Sequence, residues 1–250
     1  MQLSDYQDKY HTLHFQRDAG VLEVRMHTRG GEALWGVSEQ SLHNELGLAC
    51  FDIARDRDNK VVILTATGSS FIAAMDPEER PPESSLSAMW DRIYDEGVSL
   101  LENLLAIPVP VIAAVNGPAL IHAELALLSD IVLAAEHAEF ADLAHISGGA
   151  VPGDGVHTVW PMLLGPNRGR YFLLTGERLD AQEAKRLGVV AEILAEELLM
   201  PRARELAQQL AKLPSNVLRH TRMLLVRHLR QRLREELSLG LAVEALAMIN

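Results

Sequence analysis

A largely apolar stretch, residues 109–160, is interrupted by ionisable side chains that include His122, Glu124, His145 and Asp154. An imidazole, with an ordinary pKa of about 6.5, can take a proton from water near neutral pH. A carboxylate beside it can fix the tautomer of the ring and stabilise its cation. Because the surrounding residues are apolar, the pattern predicts a buried scaffold that presents an acid–base site to a ligand.

The same stretch predicts the elements that hold these side chains. It consists of a buried strand, a turn at Asn116 and Gly117, a short helix, a second strand and a glycine-rich loop that runs to Trp160. Strand and helix signals alternate over residues 1–195, which favours an α/β domain with parallel strands. We expect residues 196–250 to form a separate helical region.

Individual elements are predicted from periodicity. Residues 11–17 and 20–28 alternate apolar and polar positions, as the strands of a hairpin do, and residues 60–67 and 189–194 read as further strands. Residues 76–85, rich in proline and charge, predict a surface connection. Helical spacing recurs over residues 38–56, 90–105, 167–175, 181–187 and 196–213.

The composition limits the class of protein. A chain of 250 residues with 48% hydrophobic residues can bury a large core in one domain. Its net charge of −11 disfavours nucleic acid and anionic membrane surfaces as partners. The single cysteine, Cys50, excludes an intramolecular disulfide and favours a cytoplasmic location. We expect no membrane span, since no apolar run approaches roughly 20 residues, and no metal site, since the histidines lack a ligand spacing.

The last predicted helix is apolar on two faces. Leu237, Leu241 and Glu244 share one face, whereas Leu239 and Leu246 lie on another. A helix that is apolar on so much of its circumference must be covered by other protein. We therefore expect a homo-oligomer.

Several separated motifs resemble the crotonase (enoyl-CoA hydratase/isomerase) superfamily. They occur in the family's order at residues 112–119 (IAAVNGPA), 124–126 (ELA), 129–131 (SDI) and 138–140 (AEF). The resemblance implies a spiral of ββα units followed by helices that build trimers, or hexamers made of two trimers. It also implies chemistry based on an enolate held in an oxyanion hole.

Departures from the family pattern indicate a change of chemistry. Acyl-CoA members carry a triple-glycine turn whose backbone N–H groups bind a thioester oxygen, and residues 120–124 (LIHAE) replace that turn. The family's second oxyanion loop reads FIAAMD at residues 71–76, with Ala74 in place of a glycine. Ala144 and His145 occupy the place of a second catalytic glutamate.

One branch of the superfamily shares these departures: the β-diketone hydrolases that resemble 6-oxocamphor hydrolase. The similarity covers residues 151–157 (VPGDGVH), 167–176 and 237–246, besides the His-x-Glu turn. This branch cleaves a C–C bond by a retro-Claisen reaction without coenzyme A, so the resemblance implies a small diketone substrate and no cofactor. The flanking residues differ from that branch and leave the shape of the substrate open.

Roles follow from this chemistry. His145 would be the general base that removes a proton from water, and Asp154 would orient its ring. His122 would donate a hydrogen bond to the enolate oxygen, with His43 as a second candidate. Glu244 would orient a histidine or form an ion pair at a subunit contact. Substrate-binding roles are expected for Trp35, Phe71, Trp90 and Glu124.

Each role has a structural alternative. A histidine in an apolar segment is more often a satisfied core residue than a catalyst, and Asp154 lies in a Pro-Gly-Asp-Gly sequence typical of turns. His43 could be half-exposed at a helix edge, and Glu124 could hold its turn by accepting backbone hydrogen bonds.

Three functions therefore remain open. The first is a cofactor-free hydrolase of a cyclic or bicyclic β-diketone, which yields a keto acid. The second is an enoyl-CoA hydratase or isomerase that uses Glu124 or Asp154 on an acyl-CoA thioester. The third is a binding protein that has the crotonase fold without its catalysis.

Overall fold

The computed structural model describes residues 1–79 and 85–249. The strands in this part of the chain are β1 (Leu13–Asp18), β2 (Val21–Met26), β3 (Val61–Ala66), β4 (Val111–Val115), β5 (Ile131–Ala135), β6 (Glu139–Phe140), β7 (Leu179–Asp180) and β8 (Glu192–Leu194). The larger sheet has the order β1-β2-β3-β4-β5-β8, and β6 pairs with β7 in a separate ribbon. The predicted α/β fold class, with parallel strands, is confirmed.

The first two strands form the predicted hairpin. They pair antiparallel around Ala19 and Gly20, whose φ angles of 48° and 87° are both positive. Two positive φ angles give a hairpin turn the same twist as its strands. The remaining neighbours in the larger sheet pair parallel, and β3 and β4 are buried along their whole length.

Helices cover both faces of this sheet. They are α1 (Leu42–Arg55), α2 (Leu86–Ala106), α3 (Glu124–Leu127), α4 (Val156–Leu164), α5 (Pro166–Thr175), α6 (Ala181–Arg186), α7 (Glu196–Ala211), α8 (Ser215–Leu225) and α9 (Arg227–Ile249). Leu199, Ala203 and Ala207 of α7 pack on one face of the sheet, where small side chains allow close approach. Leu42 of α1, Leu101 of α2 and other apolar side chains of these helices form the core on the opposite face.

The glycine-rich segment differs from its prediction. The expected loop to Trp160 ends at Gly155, and α4 then runs from Val156 to Leu164. Pro161 lies within α4, and a proline inside a helical pattern hides the helix from sequence periodicity. The final strand is also shorter than predicted, because only Glu192–Leu194 pairs with β5. In the predicted connection, residues 80–84 lie outside the described residues.

The C-terminal helices close over the core and leave part of their apolar surface exposed. Arg222 of α8 is 2% exposed, and its Nε donates to Asp130 at 2.6 Å, which ties α8 to the end of the sheet. In contrast, Leu225 is 71% exposed and Leu239 is 64% exposed in the single chain. In the part of the chain that is described, no helix combines the length and the apolar character needed to cross a bilayer.

Two glycines set the distance between the loop before α4 and the last helix. A Cβ added at Gly153 would overlap the carbonyl oxygen of Gly240, and a Cβ at Gly240 would overlap that of Gly153. Glycine in a helix interior costs about 1 kcal/mol relative to alanine, so Gly240 weakens α9 locally. In return, the loop lies directly against α9 and brings Asp154 beside Glu244.

We predict that Gly240→Ala lowers the free energy of unfolding by at least about 1 kcal/mol, because the overlap with Gly153 outweighs the gain in helix propensity. Urea unfolding measures the change. Ser238→Ala, at an exposed position of the same helix, is the matched control and should change stability by less than about 0.5 kcal/mol. An unchanged or raised midpoint for Gly240→Ala would show that the two backbones are not in contact.

Candidate active site

A cavity of about 380 Å³ opens between α1, α2, α9 and the loop before α4. Its walls are mostly apolar and include Trp35, Val37, Trp90, Ile93, Ile121 and Leu143. One end carries four of the ionisable side chains predicted from sequence: His122, His145, Asp154 and Glu244. A larger cavity of about 570 Å³ beside α8 is lined by five arginines without any carboxylate, so the acid–base groups converge in the smaller one.

Asp154 lies between the two imidazoles. Its Oδ2 is 2.7 Å from Nδ1 of His122, and its Oδ1 is 3.3 Å from Nε2 of His145. The rings of His122 and His145 are nearly perpendicular, with centroids 5.5 Å apart. Oε1 of Glu244 is 3.7 Å from Nε2 of His145. Sequence analysis assigned catalytic roles to His122, His145, Asp154 and Glu244. The structure brings these four side chains together from the turn before α3, the loop before α4 and helix α9.

The backbone at His122 explains how an imidazole reaches this position. Its φ angle is 51°, in the left-handed region that favours glycine. A residue with a side chain in this conformation costs roughly 1–2 kcal/mol. Thus the chain places a ring at a position whose backbone conformation favours glycine. That ring stacks on Trp35, with centroids 3.9 Å apart.

Sequence analysis missed the nearest partner of His145. Oδ1 of Asp142 is 2.6 Å from Nδ1 of His145, and both side chains are 3% exposed. Asp154, which sequence analysis expected to orient this ring, faces the opposite nitrogen, whereas Asp142 bonds Nδ1. The spacing of three residues between Asp142 and His145 was the signal that could have shown this contact.

The carboxylates determine the protonation of the imidazoles. Burial alone would lower the pKa of His122, but the charges of Asp154 and Glu124 outweigh burial and raise it to about 10. For His145, the charge of Asp154 and the hydrogen bond to Asp142 likewise outweigh burial and raise the pKa to about 12. Both rings are therefore cations at neutral pH. The expectation that a neutral His145 acts as the base does not fit this charge state.

The pKa values of the Asp154 and Glu244 carboxyl groups are shifted in opposite directions. Burial favours the neutral form of Asp154, yet the adjacent His145 and His122 cations hold its pKa well below the ordinary value. Burial raises the pKa of Glu244 to about 8, and the charge of Asp154 adds to this shift. Burial also raises the pKa of Glu124. Consequently, Asp154 is the ionised carboxylate of the site, and Glu244 gains or loses its proton near neutral pH.

Buried acceptors remain in this cluster. Among the described residues, one oxygen each of Glu124, Asp142, Asp154 and Glu244 is buried without a hydrogen-bond partner. Buried oxygens without donors are rare, and they concentrate at functional sites. The ligand atoms of His122, Glu124 and Asp154 lie within 4.8 Å of one another, so they could also hold a metal ion.

The remaining predicted site residues divide between the cavity and the core. His43 lines the cavity and is 5% exposed, so it is not the half-exposed edge residue of the structural alternative. Trp35 and Trp90 line the cavity as expected. Phe71, predicted to bind substrate, is fully buried in the hydrophobic core and does not line it. Glu124 lies behind His122, where its Oε1 is 2.9 Å from Nδ1.

The comparison with known proteins agrees with this arrangement. The family model for enoyl-CoA hydratase/isomerase matches residues 16–245. The chain belongs to the enoyl-CoA hydratase/isomerase family. The predicted resemblance to the crotonase superfamily, and to its β-diketone hydrolase branch, is confirmed.

Individual members of the family carry different activities. A carnitinyl-CoA dehydratase from Citrobacter koseri is 33% identical over 205 residues, which is 80% of this chain and 74% of that protein. A β-diketone hydrolase from Anabaena sp. PCC 7120, solved with bound (S)-3-oxocyclohexyl acetic acid, is 47% identical with a TM-score of 0.92. The match covers 98% of this chain and 97% of the Anabaena protein. An enoyl-CoA hydratase from Bacillus anthracis is 26% identical with a TM-score of 0.77, over 94% and 89% of the two chains.

We predict that Asp154→Asn lowers the pKa of both His122 and His145 by at least about one pH unit, because the charge that holds their protons is lost. Imidazole resonances in an NMR titration measure both values, and Asp8→Asn, at an exposed N-terminal position, is the control. In the unsubstituted protein both values lie above the ordinary 6.5, so the stability that these rings contribute is complete below about pH 6.5 and is lost as pH rises through 10 and 12. Two unshifted rings in the variant would contradict the central position of Asp154.

Proposed function

We propose that the protein is a cofactor-free hydrolase that cleaves the C–C bond of a cyclic or bicyclic β-diketone by a retro-Claisen reaction. The observation that carries the proposal is the pair of imidazolium rings held by Asp154 at the end of a small apolar cavity. The similarity to the Anabaena β-diketone hydrolase, at 47% identity over nearly the whole chain, supports it.

The cavity suits a neutral, compact substrate. At about 380 Å³ it lies near the lower end of the range for small-molecule sites. Its walls offer aromatic and aliphatic surface to the ring of a diketone, and its polar end offers donors to the carbonyl oxygens. Trp35 supports the donor ring of His122 through their stacking contact.

The reaction begins with attack of water on one carbonyl carbon. Glu244, in its ionised form, takes a proton from the water while the oxygen bonds to carbon. Its pKa of about 8 is better matched to this task than that of Asp154, which two cations hold far lower. We therefore assign the general base to Glu244 and the positioning of both rings to Asp154, which replaces our expectation for His145.

Cleavage then transfers negative charge to the second carbonyl. The bond between the attacked carbon and the central carbon breaks, and its electron pair forms an enolate whose charge lies mostly on oxygen. Nε2 of His122 has no hydrogen-bond partner among the described residues, so its N–H is available to this oxygen. One donor of this kind contributes on the order of 3 kcal/mol to transition-state stabilisation. Asp142 and Asp154 hold His145 as a second cation beside the reacting atoms.

A thioester substrate is the competing assignment, because the curated relatives include carnitinyl-CoA dehydratases at 33% identity. Thioester-binding members use backbone N–H groups of a glycine turn, according to the resemblance described above. Here the same turn carries the ring of His122, which lines the cavity. This difference favours the diketone over the thioester.

We predict that the purified protein hydrolyses the bicyclic 1,3-diketone whose cleavage gives (3-oxocyclohexyl)acetic acid, with no coenzyme A present. Loss of the diketone and formation of the keto acid are followed by chromatography, with crotonyl-CoA assayed in parallel. His122→Ala should lower kcat/KM for the diketone by about 100-fold or more, because the enolate loses a charged donor. Turnover of the thioester alone would refute the proposal, and binding of the diketone without turnover would favour the binding-protein alternative.

We predict a bell-shaped pH profile. The value of kcat/KM should rise through about pH 8 as Glu244 loses its proton, and fall through about pH 10 as His122 loses its own. Glu244→Gln should abolish the rising limb and lower kcat/KM by about 100-fold. Glu235→Gln, at an exposed position of α9, is the matched control and should leave the profile intact. A rising limb that survives in Glu244→Gln would assign the base to another group.

A further inference from the structure

A second polar pair lies at the cavity, outside the Asp154 cluster. Nδ1 of His43, on α1, is 3.0 Å from Oε2 of Glu96, on α2. Nη1 of Arg92 donates to the same oxygen at 2.7 Å from the preceding turn of α2. The side chains of His43 and Glu96 are 7% and 11% exposed. A buried ion-pair network of this kind requires desolvation of charged groups, and its cost is offset only when the geometry is fixed.

Glu96 determines which nitrogen of His43 faces the substrate. A carboxylate accepts a hydrogen bond, so Nδ1 carries a proton and Nε2 is the atom that exchanges protons with the cavity. Nε2 has no hydrogen-bond partner in the described ranges, and His43 lines the cavity wall. Gly97 lies beside the ring, since a Cβ at that position would be in van der Waals contact with Nε2, at 3.6 Å.

Trp35 separates this pair from the Asp154 cluster. The rings of Trp35 and His43 are nearly perpendicular, at 83°, with centroids 5.6 Å apart, while the Trp35 ring also packs on His122. His43 therefore reaches the cavity from a different side than His122. A substrate in the cavity that contacts both rings would have its enolate oxygen at His122 and a carbon facing His43.

We propose that His43, positioned by Glu96, donates the proton that converts the enolate carbon into the product C–H group. This assignment rests on the proposed function and adds an acid to it, in place of the second oxyanion donor expected from sequence. A general acid separate from the water-activating carboxylate keeps the two proton transfers apart. It also directs the new C–H bond to one face of the enolate.

The step conserves atoms and charge. The Nε2–H bond of the His43 imidazolium breaks, its proton forms the new C–H bond, and the enolate becomes a ketone. The imidazole is left neutral with its remaining proton on Nδ1, where Glu96 accepts it. Bulk water returns a proton to Nε2 before the next turnover. No oxidant, reductant or further reactant is needed.

Hydrolysis of the same bicyclic diketone in D₂O tests the assignment, because the enolate carbon becomes a CHD group whose two diastereomers NMR distinguishes. We expect the unsubstituted enzyme to give one diastereomer. His43→Gln should still break the C–C bond, at a rate lowered by about 10- to 100-fold, and should give both diastereomers in nearly equal amounts as solvent protonates the enolate. Glu96→Ala should likewise bring the diastereomer ratio closer to one. Glu96→Gln, which retains an acceptor for Nδ1–H, should give a ratio closer to that of the unsubstituted enzyme.

Glu102→Gln is the matched control on α2, since Glu102 lies at the surface 3.5 Å from Arg234. It should give the ratio and rate of the unsubstituted enzyme. A single diastereomer from both His43→Gln and Glu96→Ala would overturn the assignment. A raised KM with an unchanged diastereomer ratio would also overturn it, because that result indicates that His43 only lines the cavity. Failure of the unsubstituted enzyme to hydrolyse the diketone would instead refute the proposed function, and thermal melting of each variant identifies loss of fold.

Discussion

The buried carboxylate of Asp154 is the group on which the candidate site depends. It holds protons on His122 and His145 at once, since an ionised oxygen faces each ring. Without this charge, burial would favour neutral imidazoles, and the site would lose both of its cations. The same two cations keep Asp154 ionised, so the three groups stabilise one another's charged forms. Such mutual dependence makes the charge state of the site a property of the cluster rather than of any one residue.

Two local conformations that lower the stability of the fold allow this cluster to form. Gly240 weakens the interior of α9 so that the Gly153 backbone can lie against it, and His122 adopts a left-handed conformation that disfavours a side chain. Each cost is of order 1–2 kcal/mol, a substantial part of the 5–15 kcal/mol that stabilises a typical domain. The parallel strands β3 and β4, buried along their length, supply the rigid support that makes these local conformations tolerable.

The sequence predicts local structure better than it predicts partners. The hairpin and the buried strands follow from β-branched runs and a turn, which act over a few residues. Pro161 hides α4, because the helix is defined by its packing rather than by its periodicity. Asp142 was within reach of sequence reasoning, three residues from His145. Glu96 was not, since it lies 53 residues from His43 and meets it only through the packing of α1 against α2.

Replacement of glycine by histidine changes what the oxyanion site can stabilise. A backbone N–H is a neutral donor, whereas an imidazolium forms a charge-assisted hydrogen bond that is roughly twice as strong. In the proposed reaction the group that leaves on C–C cleavage is an enolate, which is a poor leaving group, so the reaction depends strongly on charge stabilisation. In the proposed mechanism, a fixed cation beside the enolate oxygen meets that demand only if it stays protonated, and the charges of Asp154 and Glu124 together outweigh burial in raising the pKa of His122. The turn at His122 thus places a charged ring at a backbone position whose left-handed conformation favours glycine.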